Sequence, residues 1–332
     1  MHPALTPGAH SITVDSIVQR YHVHGTGPVC VAHPGGPGIA WDYLRSRALE
    51  EHLTMVYLEP AGTGDSSRLP SHPNGYTRAR YSRHLTALID HLGAPRVHLL
   101  GHSHGGFVAQ YHAVAHPEQL ASMVLYDSSP VTGPEFGADI GRALGETAAR
   151  HAGKPGLEEA LAAFAQIPTI ADDEAQLRIA RGIIPVYLAD YWADEPRWAG
   201  MQDALDATYI SGLDENGVPD VVEDREALAE VEVPALVVAG RFDPICGVRW
   251  AEELHELIPG SELVILSLGG RGAMGSSPEG TFEALPPHID VVCPIGAGDA
   301  MAAAFAWSME KKKSFPDALR WSRARASMAS AA

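Results

Sequence analysis

Basic residues are scarce in this 332-residue chain: 24 Lys and Arg stand against 41 Asp and Glu, a net charge of −17. A surface of that sign repels nucleic acid and anionic lipid, so neither is an expected partner. Cysteine is scarcer still. Cys30, Cys246 and Cys293 are odd in number, widely spaced and without paired metal-ligand spacing, which excludes a disulfide framework and fits a reducing cytoplasm. Long apolar runs are missing too: no stretch of about 18 apolar residues occurs that could cross a bilayer. The opening MHPALTPGAH has neither the charged start nor the apolar stretch of a signal peptide. The expectation is a cytoplasmic protein with no membrane contact, no cofactor and no metal; nothing in the composition bears on oligomeric state.

What is present is enough apolar material, 45% of residues, to bury a sizeable core. SITVDSIVQRYHVHG alternates with period two, as a half-buried antiparallel pair does. VCVAH, MVYLE, VHLLG, MVLYD, ALVVAG and ELVIL then recur as short β-rich runs separated by helical segments such as YSRHLTALIDHLG. That rhythm predicts an α/β fold whose mostly parallel sheet is covered by helices on both faces. Residues 129–224 interrupt it with alanine-rich helical sequence, and read as a lid inserted between core strands.

Three motifs carry chemistry. GHSHGG places Ser103 in a G-x-S-x-G pattern between an apolar strand and a helix, a tight turn that would lift the hydroxyl above the sheet edge. The helix start would offer N–H groups and positive dipole to a developing oxyanion. HPGGPG, residues 33–38, follows another strand, and its glycines would let the main chain approach the nucleophile and supply a second N–H. GRFDP sets Asp243 in the loop after a buried strand, where a carboxylate could orient an imidazole.

With YLEPAGTGDSS at residues 57–67, these motifs make residues 1–266 resemble an α/β-hydrolase of the prolyl aminopeptidase (proline iminopeptidase) type. The resemblance implies Ser103 as nucleophile, Asp243 as triad acid, and the amides of Gly36 and His104 as the oxyanion hole. It also implies a base, a histidine in a Gly-His pair just past the eighth strand, ELVIL. This chain has SLGGRGAMG there instead. Two histidines follow Asp243. His255 lies within the helical WAEELHELI and reads as structural. His288 has the correct chain order for a triad base but sits 22 residues past Leu266 and would need a long excursion to return. His102 and His104 flank Ser103 too closely to act as its base, and read as packing or pocket-lining groups.

The composition shifts at the same place. Residues 267–332 hold seven basic and six acidic residues, a net of +1, against −18 for residues 1–266. SLGGRGAMG, FEALPP and PIGAGDAMAAAFAWSM resemble the C-terminal part of ribokinase-like sugar kinases of the phosphofructokinase and tagatose-phosphate kinase branch. That resemblance implies an anion hole at Gly296, Ala297 and Gly298, with Asp299 as base for a sugar hydroxyl; a glycine-rich helix start suits a phosphate. The sugar-binding half of such a kinase has no counterpart upstream, so these four residues read as a vestigial phosphate site.

The expected architecture is therefore a first part of an α/β-hydrolase core (1–128), a helical lid (129–224), the last two core strands (225–266) and a ribokinase-like segment (267–332) replacing the usual C-terminal part. The expected function is a serine hydrolase cleaving a small amide or ester, including a short peptide, through an acyl-enzyme, impaired to the extent that a base is lacking. A non-catalytic hydrolase-like binder of a small ligand, and a relic of a sugar or sugar-phosphate kinase, are the alternatives. The lid brings aromatics (Tyr187, Tyr191, Trp192, Trp198) and acids that could line a pocket for a substrate amine.

Overall fold

A computed structural model describes residues 2–193, 195–266, 273–277 and 280–284, together with Ser314 and Asp317. The alternating N-terminal sequence forms β1 (Gly8–Val14) and β2 (Ile17–His24), paired antiparallel. β3 (Val29–His33), α1 (Arg47–Glu50), β4 (Thr54–Glu59), α2 (Arg78–Leu92), β5 (Val97–His102), α3 (His104–Ala115) and β6 (Leu120–Tyr126) then build the centre of the sheet. After the lid come α9 (Arg225–Leu228), β7 (Ala235–Gly240), α10 (Val248–Leu257) and β8 (Glu262–Leu266). The lid itself supplies α4 to α8, described below.

Strand order is β1-β2-β4-β3-β5-β6-β7-β8. From β4 through β8 every pairing is parallel. All six residues of β4 are buried, as a strand covered on both faces requires. One face packs Tyr21, Leu85, Leu88, Leu99 and Val108 into the main core; the other packs Met55 and Tyr57 against Trp41 and Leu49. The α/β-hydrolase architecture implied by the motifs is thus the one observed, with the C-terminal ends of β3, β5, β6 and β7 converging on one edge, where open α/β sheets place their sites.

The sheet continues beyond β8 with β9 (Ala273–Ser277) and β10 (Gly280–Ala284), both antiparallel to their neighbours. A further βα unit would have kept the sheet parallel. Residues 267–272 are too few for a parallel crossover, which needs about a dozen residues, so the chain turns straight back. β8 still serves as the eighth hydrolase strand. Cys293, His288 and the Gly296, Ala297, Gly298 and Asp299 segment lie outside the described residues.

The lid helices are α4 (Pro134–Arg150), α5 (Leu157–Ala165), α6 (Asp173–Gly182), α7 (Ile184–Tyr187) and α8 (Glu195–Ala204). Leu157, Ala160, Phe164 and Val186 form their own small core, which also touches Ile245 of the loop after β7. The excursion returns as an extended segment rather than a helix, because DENGVPD favours turns: Asp214 Oδ1 accepts from the amides of Asn216 and Val218 at 2.8 Å. Its neck is closed by backbone bonds from Thr132 N to Val222 O (3.0 Å) and from Asp224 N to Pro130 O (2.9 Å).

Arg78, the first residue of α2, clamps that returning segment. Its guanidinium donates to both Asp224 oxygens (2.9 and 2.7 Å) and to Val221 O (2.9 Å), and its amide donates to Asp220 Oδ2 (2.6 Å). The two charged side chains are 10% and 13% exposed, so removing one strands the other away from water. Arg78→Ala is expected to cost about 3–5 kcal/mol in urea unfolding, the range for breaking a buried pair. A loss under about 1 kcal/mol, the worth of a surface pair, would contradict the clamp.

Candidate active site

β5 ends at His102 and α3 begins at His104, leaving Ser103 alone to make the turn. Its backbone sits at φ 50°, ψ −116°, a conformation disfavoured for a residue with a side chain. The neighbourhood holds it there. Ser103 N donates to Tyr126 O of β6 (2.9 Å), and its carbonyl accepts from Gly106 N (2.8 Å) and from Ser128 Oγ (3.1 Å). The flanking glycines explain the motif. A Cβ on Gly101 would collide with Gly105 O, and one on Gly105 with His33 O, so the elbow, α3 and the loop after β3 close on one another only without side chains. The first and fifth motif positions are thus required by packing.

Gly36 is held at φ 124° in the loop after β3, and the Gly35 amide beside it already donates to Tyr43 Oη at 2.6 Å. A second backbone tie fixes the loop's far end: Ala40 N donates to Asp206 O (3.0 Å) and Thr208 N to Gly38 O (2.8 Å), so the returning lid segment is stitched to it. His104 opens α3, and the amide of a first helical residue has no intrahelical acceptor. The two amides expected to serve an oxyanion are therefore carried by the two loops that meet at Ser103.

Asp243 lies in the loop after β7. Its Oδ1 accepts from the amides of Ile245 (2.8 Å) and Cys246 (2.6 Å), and burial raises its carboxyl to about 6 against those bonds. A second carboxylate, Asp127, stands at the end of the adjacent β6. It is buried, has φ 44°, and accepts from Gly240 N at 2.7 Å. Burial first, and the nearby charge of Asp243 second, raise its pKa well above the usual carboxylate range. The sequence motifs did not single out Asp127; the available signal was its place at the end of MVLYD, one strand over from the acid-bearing loop.

Cys246 sits between these groups. Burial, then Asp243 and Asp127, push its thiol well above its ordinary range, against a smaller opposing effect of the Ser103 side chain. The thiol is thus protonated and unreactive. From the lid, Tyr187 faces the same cluster: burial, then Asp243, Cys246, Tyr43 and Asp127, raise its phenol. Trp192 instead joins the lid core and donates to Pro155 O (2.8 Å), and Tyr191 donates to Gln202 Oε1 (3.0 Å).

The histidines near Ser103 are neutral. Burial lowers His33 and His102 to about 4, and burial with nearby His33 and Arg78 lowers His104 to about 3. His104 packs edge-on against Tyr81 and Phe107. His255 lies on α10 and pairs through Nδ1 with Ser261 Oγ (3.0 Å), a structural contact. Among the described residues no imidazole bridges Ser103 and Asp243, and no group of three or more His, Cys, Asp or Glu is arranged to hold a metal. No helix among them is long and apolar enough to cross a membrane.

The paired carboxylates make a stability prediction. Both have folded-state values raised above those of the unfolded chain, so the folded state binds more protons and stability falls as pH rises from about 4 through about 6 and above. Asp127→Asn keeps an acceptor for Gly240 N–H and removes one buried charge. Its melting temperature should exceed wild type at pH 8, with the gap closing toward pH 4; a gap independent of pH would contradict the pairing.

Comparison with known proteins agrees with this geometry. Residues 28–278 match the family described as alpha/beta hydrolase fold, and residues 247–331 match the pfkB family of carbohydrate kinases, so the two matches overlap from α10 to β9. The chain is 28% identical to a 2-hydroxymuconate semialdehyde hydrolase of Pseudomonas putida, over 75% of this chain and 78% of that one. A proline iminopeptidase of Lactobacillus helveticus is 35% identical, but over 102 residues, 30% of this chain and 34% of its own. A solved hydrolase from Pseudomonas aeruginosa PA01 superposes with a TM-score of 0.57 at 24% identity, covering 78% of this chain and 89% of that one, which speaks to the fold alone. An elbow serine, a glycine loop beside it and an acid after β7, on a sheet of this order and with a family match across most of its length, place the chain in the α/β-hydrolase family, with a C-terminal part similar to pfkB carbohydrate kinases.

Proposed function

We propose that this protein is a serine hydrolase of small esters or amides, with Ser103 as nucleophile. The observation that carries the proposal is the Ser103 backbone, held at φ 50° on top of a parallel sheet where a purely structural serine would have no reason to be strained. Ser103 would attack the substrate carbonyl, the amides of Gly36 and His104 would hold the oxyanion, and water would later release the acyl group. Asp243 would orient the base and offset its charge. His288 is the candidate for that base, being the histidine that remains after Asp243 in the sequence once His255 is committed to Ser261.

The finer reading is a prolyl aminopeptidase-like substrate. The HPGGPG loop supports it, as does the 35% identity over 102 residues to a proline iminopeptidase. Tyr187, near enough to Asp243 and Asp127 to feel their charge, would form part of the pocket wall, and an amine-bearing substrate would stabilise the ionised carboxylates.

Reaction with a fluorophosphonate probe, alongside hydrolysis of prolyl and simple ester substrates, tests both levels. Wild type should label and turn over, Ser103→Ala should do neither, and His288→Ala should lose about four or more orders of magnitude in kcat, as removal of a triad member does. Labelling lost with Ser103 but unchanged in His288→Ala would remove His288 from the mechanism. Absence of labelling in wild type would overturn the hydrolase assignment in favour of a ligand-binding protein, and ATP-dependent phosphorylation of a sugar phosphate would favour the kinase relic.

A further inference from the structure

The loop that carries Gly36 is joined to the nucleophile turn by one phenol. Tyr43 Oη accepts from Gly35 N–H at 2.6 Å and lies 2.6 Å from His102 Nδ1. These are short bonds between groups largely withdrawn from water. The loop and the turn are close elsewhere too: a Cβ on Gly35 would come within 2.8 Å of His102 Nδ1, 3.1 Å of Ser103 Cβ and 3.2 Å of the His102 carbonyl oxygen. Tyr43 is itself anchored, in the short helical turn Trp41–Leu44, whose Trp41 is buried and stacks on His22 with ring centroids 4.2 Å apart. A shift of the phenol would therefore move the loop against a fixed elbow.

The proton arrangement follows from counting donors. A phenol has one hydrogen, and here its oxygen already receives the Gly35 N–H. If His102 carried its proton on Nδ1, that oxygen would face two donors and its own hydrogen would be left without an acceptor, at a cost of about 1–3 kcal/mol. The arrangement that satisfies all three groups has Tyr43 donating to a bare Nδ1, with the ring proton on Nε2. We propose that Tyr43 and neutral His102 form a latch that sets the Gly35–Gly36 loop against Ser103, making both positioning residues for the oxyanion hole.

The titratable groups that face the His102 ring are phenols, Tyr43 edge-on at 5.3 Å between centroids and Tyr126 at 5.0 Å. Burial alone accounts for the lowering of His102 to about 4, and it pushes the Tyr43 phenol up, so both remain neutral across the physiological range. The latch also answers why a histidine adjacent to the nucleophile does not serve as its base. Nδ1 is occupied by Tyr43, and Nε2 already bears the proton.

The role in catalysis rests on the reading of Ser103 as nucleophile; the hydrogen-bond arrangement does not. Two measurements keep them apart. Nitrogen-15 NMR of histidine-labelled protein, with the His102 signals identified by their loss in His102→Gln, should show a bare Nδ1 and a protonated Nε2 from about pH 5 to about pH 9 in wild type. In Tyr43→Phe the Nδ1 signal should move as its hydrogen bond is lost. A protonated Nδ1 in wild type, or titration near the ordinary histidine value, would overturn the latch whether or not the protein hydrolyses anything. The second measurement is the rate of fluorophosphonate labelling at Ser103. Tyr43→Phe and His102→Leu should slow it roughly 10- to 100-fold, the scale of a sub-ångström to 1 Å misplacement. His102→Gln, whose amide oxygen can accept the Tyr43 proton, should restore most of the rate, a rescue that loss of packing alone would not give. Unchanged labelling in both Tyr43→Phe and His102→Leu, with melting temperatures near wild type, would overturn the positioning role. Should wild type not label at all, the hydrolase reading fails and the NMR result still decides the latch.

Discussion

One strained residue organises this molecule. Ser103 can hold a positive φ only because β5, α3 and the loop after β3 crowd it on every side, and they can crowd it only because Gly101 and Gly105 carry no side chains. The cost of that conformation is met by the buried sheet beneath, whose parallel strands from β4 to β8 present their C-terminal ends to the same edge. The glycine loop after β3 is then fixed from two directions, by Tyr43 on one side and by the segment at Asp206 and Thr208 on the other. Strain at one position is thus tied to the placement of the whole rim.

Acidic groups gather on the other side of Ser103. Asp127 and Asp243 end neighbouring strands, Cys246 and Tyr187 close over them, and burial raises every one of the four. Without an imidazole among them the cluster favours protonated, neutral forms. A cationic partner, whether an imidazolium or the amine of a substrate, would stabilise the ionised carboxylates, which gives the site a preference consistent with the overall charge of −17.

Much of this was legible in the sequence because it is local. G-x-S-x-G, HPGGPG and GRFDP encode tight turns directly, through residues that alone tolerate the backbone or the close approach. The lid was visible as a break in the strand-helix rhythm, although its last twenty residues return as extended chain where turn-forming residues outweigh helical composition. Asp127 and Tyr43 were not legible. Their importance comes from which strand ends lie side by side and which oxygen faces Gly35, facts of tertiary packing that no spacing encodes. The antiparallel pairings of β9 and β10 follow from the shortness of the connections, residues 267–272 and 278–279, which leave no room for a parallel crossover. His288 and the Gly296 to Asp299 segment lie outside the described residues and keep the standing that the sequence gives them.

The chain joins hydrolase and carbohydrate-kinase similarity across α10 to β9, and the hydrolase part carries a strained serine, a glycine loop beside it and a buried acid after β7. The central claim is that Ser103 takes an acyl group from substrate. Peptide mass spectrometry of protein quenched in acid after brief exposure to p-nitrophenyl acetate tests it most directly. The account predicts an acetyl group on Ser103 that decays with time as water releases it; unmodified Ser103, or acetylation confined to lysines and the N-terminus, would contradict it.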